Sequence, residues 1–182
     1  MSRPGFEIIR GAHIDLVEVD PVHFEQIVRW RSDPEIGQQF FFSGPYTLKG
    51  QRKWYERYRL DEKDLTFVAT LKTGFPVGMA ALYDIDEEKA VAQFGRLLVG
   101  ERAYRGQRIA LEASQLCLDL GFRDLGLQEI YLEVFASNIP AVRLYERLGF
   151  VAGVSWEHVG KEGGRKPVQR MTIKKRTAWQ NV

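Results

Sequence analysis

Only one cysteine, Cys117, occurs among the 182 residues, so no intramolecular disulfide can form. A reducing compartment suits such a chain, and a cytoplasmic location is expected. Cys117 falls inside a long apolar helix pattern and reads as a small core residue rather than a nucleophile. A dominant charge is also lacking. Twenty-six Lys and Arg stand against 24 Asp and Glu, and a net +2 is too balanced to argue for a nucleic-acid partner. No apolar run approaches the length that spans a bilayer, and the N-terminus does not read as a signal peptide, so no membrane partner is expected. Nucleotide signatures are missing too: there is no Gly-Lys-Ser/Thr of a Walker loop and no three-glycine dinucleotide fingerprint. With 45% apolar and 27% charged residues, what remains is one ordinary soluble domain over residues 1–182.

The most informative stretch runs from Gln93 to Phe122. Apolar residues continue through Leu97, Leu98 and Val99, and Gly100 breaks the strand. A small and basic turn follows, from Glu101 to Arg108. From Ile109 the spacing becomes helical, with Ile109, Ala113, Leu116 and Leu120 on one face. A helix entered this way aims free N–H groups and the positive end of its dipole at one point. Arg102, Arg105 and Arg108 surround that point, which suits a di- or triphosphate. An ordinary βα turn with solvated arginines is the plainer reading of the turn alone.

A second stretch adds weight. Glu129 to Val134 alternates like a strand. Ser137 or Asn138 can cap the next helix, Pro140 suits its first turn and Gly149 stops it. On these residues the chain resembles the GNAT superfamily of acyl-CoA-dependent N-acetyltransferases, in its RimJ/RimL-like branch. The family's pyrophosphate turn lies over Arg105, Arg108 and Ala110, with arginine at Arg108 where the pattern wants glycine. Its Asn-x-x-Ala-x-x-x-Tyr-x-x-x-Gly-Phe segment lies over Asn138, Ala141, Tyr145, Gly149 and Phe150. The resemblance implies an α/β (α+β) fold with a mixed, mostly antiparallel central sheet flanked by helices. It implies acetyl-CoA as cosubstrate, bound by Leu97, Leu98, Val99, Arg105, Gly106, Gln107, Arg108, Ile109, Ala110 and Asn138, and no metal. It gives Tyr145 as proton donor to the sulfur. Homodimers occur in the branch.

Taken in order, Phe6–Ile9 and His13–Val19 read as one opening strand broken at Gly11. Asp20 and Pro21 open a helix with Phe24, Ile27, Val28 and Arg31 on one side, ending before Pro34. The Trp30–Ile36 phrase resembles both RimJ/RimL relatives and amino-sugar-nucleotide acetyltransferases. Phe40, Phe41, Phe42 and Tyr46 crowd a loop, and Thr47 caps a helix to about Arg59 in which Trp54, Tyr55 and Tyr58 sit among basic residues. Strands at Leu65–Leu71, Pro76–Tyr83 and Ala90–Val99 come next. A last hairpin, Val151–Val159 and Val168–Lys174, turns over Lys161–Lys166, and the tail Lys174-Lys175-Arg176 is a solvated end. The expected order is βααβββαβαββ.

In GNAT proteins the two helices after the first strand flank the acceptor, which places it among Arg31, Phe41, Tyr46 and Trp54, with Tyr83 nearby. Aromatic rings and arginines would suit a sugar nucleotide; a solvated face with aromatic feet in the core is the alternative. Acetyl transfer needs orientation, an oxyanion partner and a path for two protons. A phenol of pKa about 10 is a modest acid beside a thiolate of pKa about 8.5. The general base is open: Gln93 stands where many relatives have Glu, and an amide takes no proton at neutral pH. Glu133, Asp84 and Tyr83 are candidates. The leading expectation is acetylation of a small primary amine such as an amino-sugar nucleotide. Acetylation of a protein N-terminus and a non-catalytic CoA-binding module are the alternatives.

Overall fold

The computed structural model describes residues 8–42, 44–160 and 163–175; Phe6, Ser43, Lys161, Glu162 and Arg176 lie outside them. Among the described residues eight strands form a single sheet: β1 (Ile9–Arg10), β2 (Ile14–Glu18), β3 (Leu65–Leu71), β4 (Pro76–Asp86), β5 (Val91–Val99), β6 (Glu129–Phe135), β7 (Val151–Val159) and β8 (Arg165–Lys174). Their spatial order is β1-β2-β3-β4-β5-β6-β8-β7, and only β5 and β6 pair in parallel. Helices α1 (Phe24–Ser32), α2 (Pro34–Gly37) and α3 (Leu48–Tyr58) lie on one face, where Ile27, Trp30 and Tyr58 meet Val68, Met79 and Leu98. Helices α4 (Ile109–Asp119) and α5 (Ile139–Leu148) cover the other, where Ile109, Cys117 and Tyr145 meet Phe67, Leu82 and Phe94. The mixed, mostly antiparallel sheet between helices is the architecture expected from the sequence.

Caps fix several helix ends. The Thr47 side chain accepts from the Gly50 N–H (3.0 Å) and starts α3. Asn138 accepts from the Ala141 N–H (3.3 Å) to start α5, and Gly149 ends that helix in the left-handed region. Pro34 stops α1 at Ser32, and Asp33 caps an extra short helix, α2, that the sequence reading did not include. The opening strand also differs. It is a hairpin, with Ile9 opposite Leu16 and Arg10 opposite Asp15, rather than one strand broken at Gly11. The Glu112 carboxylate holds the turn, its Oε1 accepting from the His13 N–H (2.8 Å), and a Cβ on Gly11 would stand 2.5 Å from that oxygen. Along α1 the buried residues are Phe24, Ile27 and Trp30, so Trp30 takes the core place expected of Val28.

One feature of β5 sets the geometry of the site. Met79 faces Leu98 but Ala81 faces Gly95, so β5 carries an extra residue here, and Arg96 takes it up at φ 51°. The bulge reverses which side chains face which helices. Ala92 and Phe94 point to α4 and α5, whereas beyond the bulge Leu98 packs with α1 and α3. Immediately after β5, Gly100 lies beneath the Trp30 ring, where an added Cβ would meet ring atoms at 2.2 Å. Replacing Gly100 with Ala should destabilise the fold by about 1–3 kcal/mol through overpacking. Chemical denaturation would show it as a lowered midpoint at unchanged slope.

Candidate active site

Strands β5 and β6 pair only from Val91–Gln93 to Glu129–Tyr131 and then diverge. Beyond that point β5 keeps its antiparallel partner β4, and β6 keeps β8. The edges facing each other across the gap, on Phe94–Val99 and Leu132–Phe135, carry no ladder hydrogen bonds. A cleft of about 490 Å³ results. It brings together Leu97, Leu98, Val99, Arg105, Gly106, Ala110, Asn138 and Tyr145, all expected from the sequence, and Tyr83 besides.

The turn between β5 and α4 closes one end. Gly106 has φ 80° and Arg108 φ 63°, so the glycine place of the motif needs a left-handed backbone and holds an arginine there. The first intrahelical bond runs from the Glu112 N–H to the Arg108 carbonyl (2.9 Å), which leaves the N–H groups of Ile109, Ala110 and Leu111 without intrahelical partners. Three of the expected turn residues face elsewhere. Ile109 is buried in the core, the exposed Gln107 donates to the Ala103 carbonyl (2.7 Å), and Arg108 lines a separate groove beside Glu112 and Arg147.

Arg105 is half-buried and multiply held. Its Nε donates to the Val99 carbonyl (3.2 Å), Nη1 to Glu35 (2.9 Å) and Nη2 to Asp33 (3.5 Å). Arg102 reaches the same two carboxylates, at 3.4 Å and 3.2 Å. The Glu35 backbone N–H, with Arg102 and Arg105, holds the Asp33 carboxyl below its ordinary range. Sequence reasoning missed Glu101, whose carboxylate accepts from Trp30 Nε1 (2.9 Å) and from the Gln26 and Arg29 side chains. An acid inside an otherwise basic turn was the available signal. It ties α1 to the end of β5.

Tyr145 lies at the wall of the cleft, 8% exposed, with its ring edge-on to Phe94 and Phe150 (centroids 6.2 and 5.8 Å). Burial pushes its phenol well above the ordinary range, so it stays protonated through neutral pH. Among the described residues its hydroxyl has no hydrogen-bond partner. The candidate bases are less free. Burial pushes Tyr83 up to about 12, and the Arg96 guanidinium stacks 4.4 Å from its ring centre. Glu133 lines the cleft but is paired with Arg170 (2.7 Å). Asp84 sits exposed on a second bulge at φ 51°. Gln93 stands in register between Tyr83 and Tyr131 and does not line the cleft.

A second cavity, about 270 Å³, opens between α1, α3 and the sheet. Arg31, Tyr46 and Trp54 line it together, as expected, with Phe42 and Arg57. Phe41 does not join them: it packs on Phe135 (4.8 Å) and His158 (5.2 Å) and lines the first cleft. Tyr83 likewise belongs to the first cleft. Arg96, which the sequence reading did not single out, lines both cavities because the bulge turns it toward α3. Its guanidinium bonds Asp64 (2.6 Å) and the Thr66 hydroxyl. A lone arginine in an apolar strand was the signal for it.

Residues 13–151 match the model of the Acetyltransferase (GNAT) domain, and the chain belongs to that family. The SPbeta prophage-derived uncharacterized N-acetyltransferase YokL of Bacillus subtilis is 31% identical over 107 residues, 59% of each chain. Spermidine N(1)-acetyltransferase of Escherichia coli K12 is 29% identical over 113 residues, 62% of this chain and 59% of its own. The chain thus spans about three-fifths of the length of these relatives. Spermidine N-acetyltransferase from Vibrio cholerae, solved with CoA and spermine, shares the fold at TM-score 0.83 and 24% identity, over 94% of this chain and 100% of that one.

Because Arg108 holds a left-handed backbone and its side chain lines another groove, Arg108→Gly should stabilise the protein by about 1 kcal/mol. A raised thermal midpoint would show it, and an unchanged or lowered one would mean the arginine side chain contributes more than the strain it bears.

Proposed function

We propose that this protein is an acetyl-CoA-dependent N-acetyltransferase acting on a small primary amine, by direct attack in a ternary complex. Within the family, the Trp30–Ile36 phrase supports a RimJ/RimL-like enzyme or one for amino-sugar nucleotides. The observation that carries the reading is the Tyr145 hydroxyl, protonated and with no hydrogen-bond partner among the described residues, at the wall of a slot whose two edges carry no ladder pairing.

The residues fit the group the family uses. When bound, acetyl-CoA supplies the acetyl group as a thioester. Unpaired N–H and C=O groups of β5 beyond Gln93 are suited to hold an amide-bearing arm as an added strand would be held. One of these N–H groups can polarise the acetyl carbonyl oxygen. Gly106, the free N–H groups opening α4 and the Arg105 guanidinium would hold the phosphates. Tyr145 keeps a proton at Oη for the departing sulfur, while the attacking nitrogen gives up its own to water, from which the Tyr145 hydroxyl regains a proton. An N–C bond forms, a C–S bond breaks and the protons balance.

No unpaired carboxylate lines the cleft among the described residues: Glu35 is engaged by Arg102 and Arg105, and Glu133 by Arg170. The amine must therefore arrive neutral or lose its proton to water. Thiol release from acetyl-CoA, screened over amines, tests the whole reading; silence with every amine, while acetyl-CoA still binds, would favour a non-catalytic CoA-binding module.

Tyr145→Phe should lower kcat by about 10²-fold and leave acetyl-CoA affinity nearly unchanged, and an unaltered rate would remove Tyr145 from the chemistry. Arg105→Glu should weaken CoA binding by at least about tenfold, since a charge-assisted contact is replaced by repulsion. Calorimetric titration of CoA reads this directly, and equal affinity would refute the placement of the phosphates.

A further inference from the structure

We propose that the acceptor carries an anionic group, a phosphate or a carboxylate, and that the Arg31 cavity between α1 and α3 binds it. This rests on the acetyl-transfer reading and narrows its substrate class.

Three arginines, Arg31, Arg57 and Arg96, line the cavity, and no Asp or Glu does. Arg96 has its counter-ion in Asp64 at 2.6 Å. Arg31 and Arg57 have no carboxylate partner among the described residues. Arg31 is half-buried. Its guanidinium stands over the Phe40 and Tyr46 rings (4.9 and 5.5 Å) and reaches the Met79 sulfur at 3.9 Å, with Tyr46 as its other polar neighbour. A guanidinium presents five donors in a plane and does not lose its proton. Burial, with the repulsion of Arg96, makes its charge unfavourable where it stands, and the Tyr46 contact relieves that only in part. An anion on the open side of Arg31 satisfies both the donors and the charge.

Arg96 lines this cavity and the slot between β5 and β6, so an acceptor anchored on Arg31 has its other end directed past Arg96 to the β5 backbone. The volume of about 270 Å³ is slightly below the 300–1,000 Å³ of pockets that enclose drug-sized ligands. It takes a small charged head rather than a peptide chain. A polyamine, which brings several positive charges, meets like charge here and no free carboxylate. A sugar phosphate, an amino acid and the pyrophosphate of an amino-sugar nucleotide share the required chemistry.

The test compares thiol release from acetyl-CoA for amines that differ by one anionic group. The pairs are glucosamine 6-phosphate with glucosamine, phosphoethanolamine with ethanolamine, and alanine with alaninamide. A uridine diphosphate amino sugar and spermidine complete the panel. The anionic member of a pair should have a kcat/KM at least about tenfold higher, and the pair that responds distinguishes phosphate from carboxylate. Arg31→Met and the exposed Arg57→Gln should each raise KM for that anionic amine several-fold with little change in kcat, and so narrow the gap in kcat/KM between it and its neutral counterpart to less than about threefold. Neutral amines or spermidine turning over as well as the anionic ones would overturn the proposal. If no amine releases thiol, glucosamine 6-phosphate and inorganic phosphate are titrated calorimetrically into the CoA-loaded protein and both variants. Binding lost in the variants would support the anion site while the acetyl-transfer reading falls; absent binding, or binding unchanged in the variants, would overturn the proposal.

Discussion

Pairing between β5 and β6 ends at Gln93 and Tyr131, and from there each strand keeps only its antiparallel neighbour. The consequence is a row of backbone donors and acceptors facing a gap in the middle of an otherwise continuous sheet. Leaving such a group buried and unsatisfied costs about 1–3 kcal/mol. The gap must therefore hold water or a ligand that can pair with backbone, and collapse of the two edges onto side chains alone is disfavoured. Both the slot proposed for the cofactor and the position of Tyr145 beside it follow from that one interruption. The Arg96 bulge lies on the same stretch of β5, adding local twist where the strand leaves its parallel partner.

The walls of the gap are held from outside the sheet. Glu101 gathers Gln26, Arg29 and Trp30 of α1 at the end of β5, and the Trp30 ring rests directly on Gly100. Asp33 and Glu35 reach over to Arg102 and Arg105. Helix α1 also carries Arg31 into the second cavity. The same helix thus contacts the turn expected to hold phosphates and the pocket expected to hold the acceptor. Exposed ion pairs of this kind contribute little to stability singly, but Arg105 is shared between protein carboxylates and the phosphates it would meet. A ligand that takes over Arg105 alters what holds α2, which couples the two sides of the cleft.

What the sequence made legible was local. Caps, prolines and stop glycines lie within a few residues of the boundaries they set, and α3, α4 and α5 start at Leu48, Ile109 and Ile139 as Thr47, the basic turn and Asn138 implied. The spacing of Asn138 and Tyr145 put both on the cleft because one helix carries them. What was not legible depended on partners far along the chain. The β1–β2 hairpin forms over a glycine that makes room for Glu112, about a hundred residues away. Phe41 and Phe42 are neighbours in a run of identical side chains, and only the loop's path sends one to each cavity. Arg96 could not be placed without the bulge, since alternation alone would have set it beside Ala92 and Phe94 on the face toward α4 and α5.

The fold is common to the family, whereas the charge of the cavity proposed for the acceptor belongs to this chain's own side chains, and that is where specificity is to be sought. The arginines also bear on the missing base. An ammonium brought near Arg31, Arg57 and Arg96 would be disfavoured relative to the neutral amine, so its pKa would fall on binding. A thioester needs the neutral nitrogen, and a site that lowers the pKa of the amine leaves less for a general base to do. Gln93 in place of a carboxylate is then consistent with activity. An acid there would add negative charge near the slot and favour the protonated, unreactive amine. In the proposed arrangement the anionic group of the acceptor would meet the arginines at one end of the cavity while its amine would be left the less welcome place for a proton, so the charge that selects the substrate would also help prepare it.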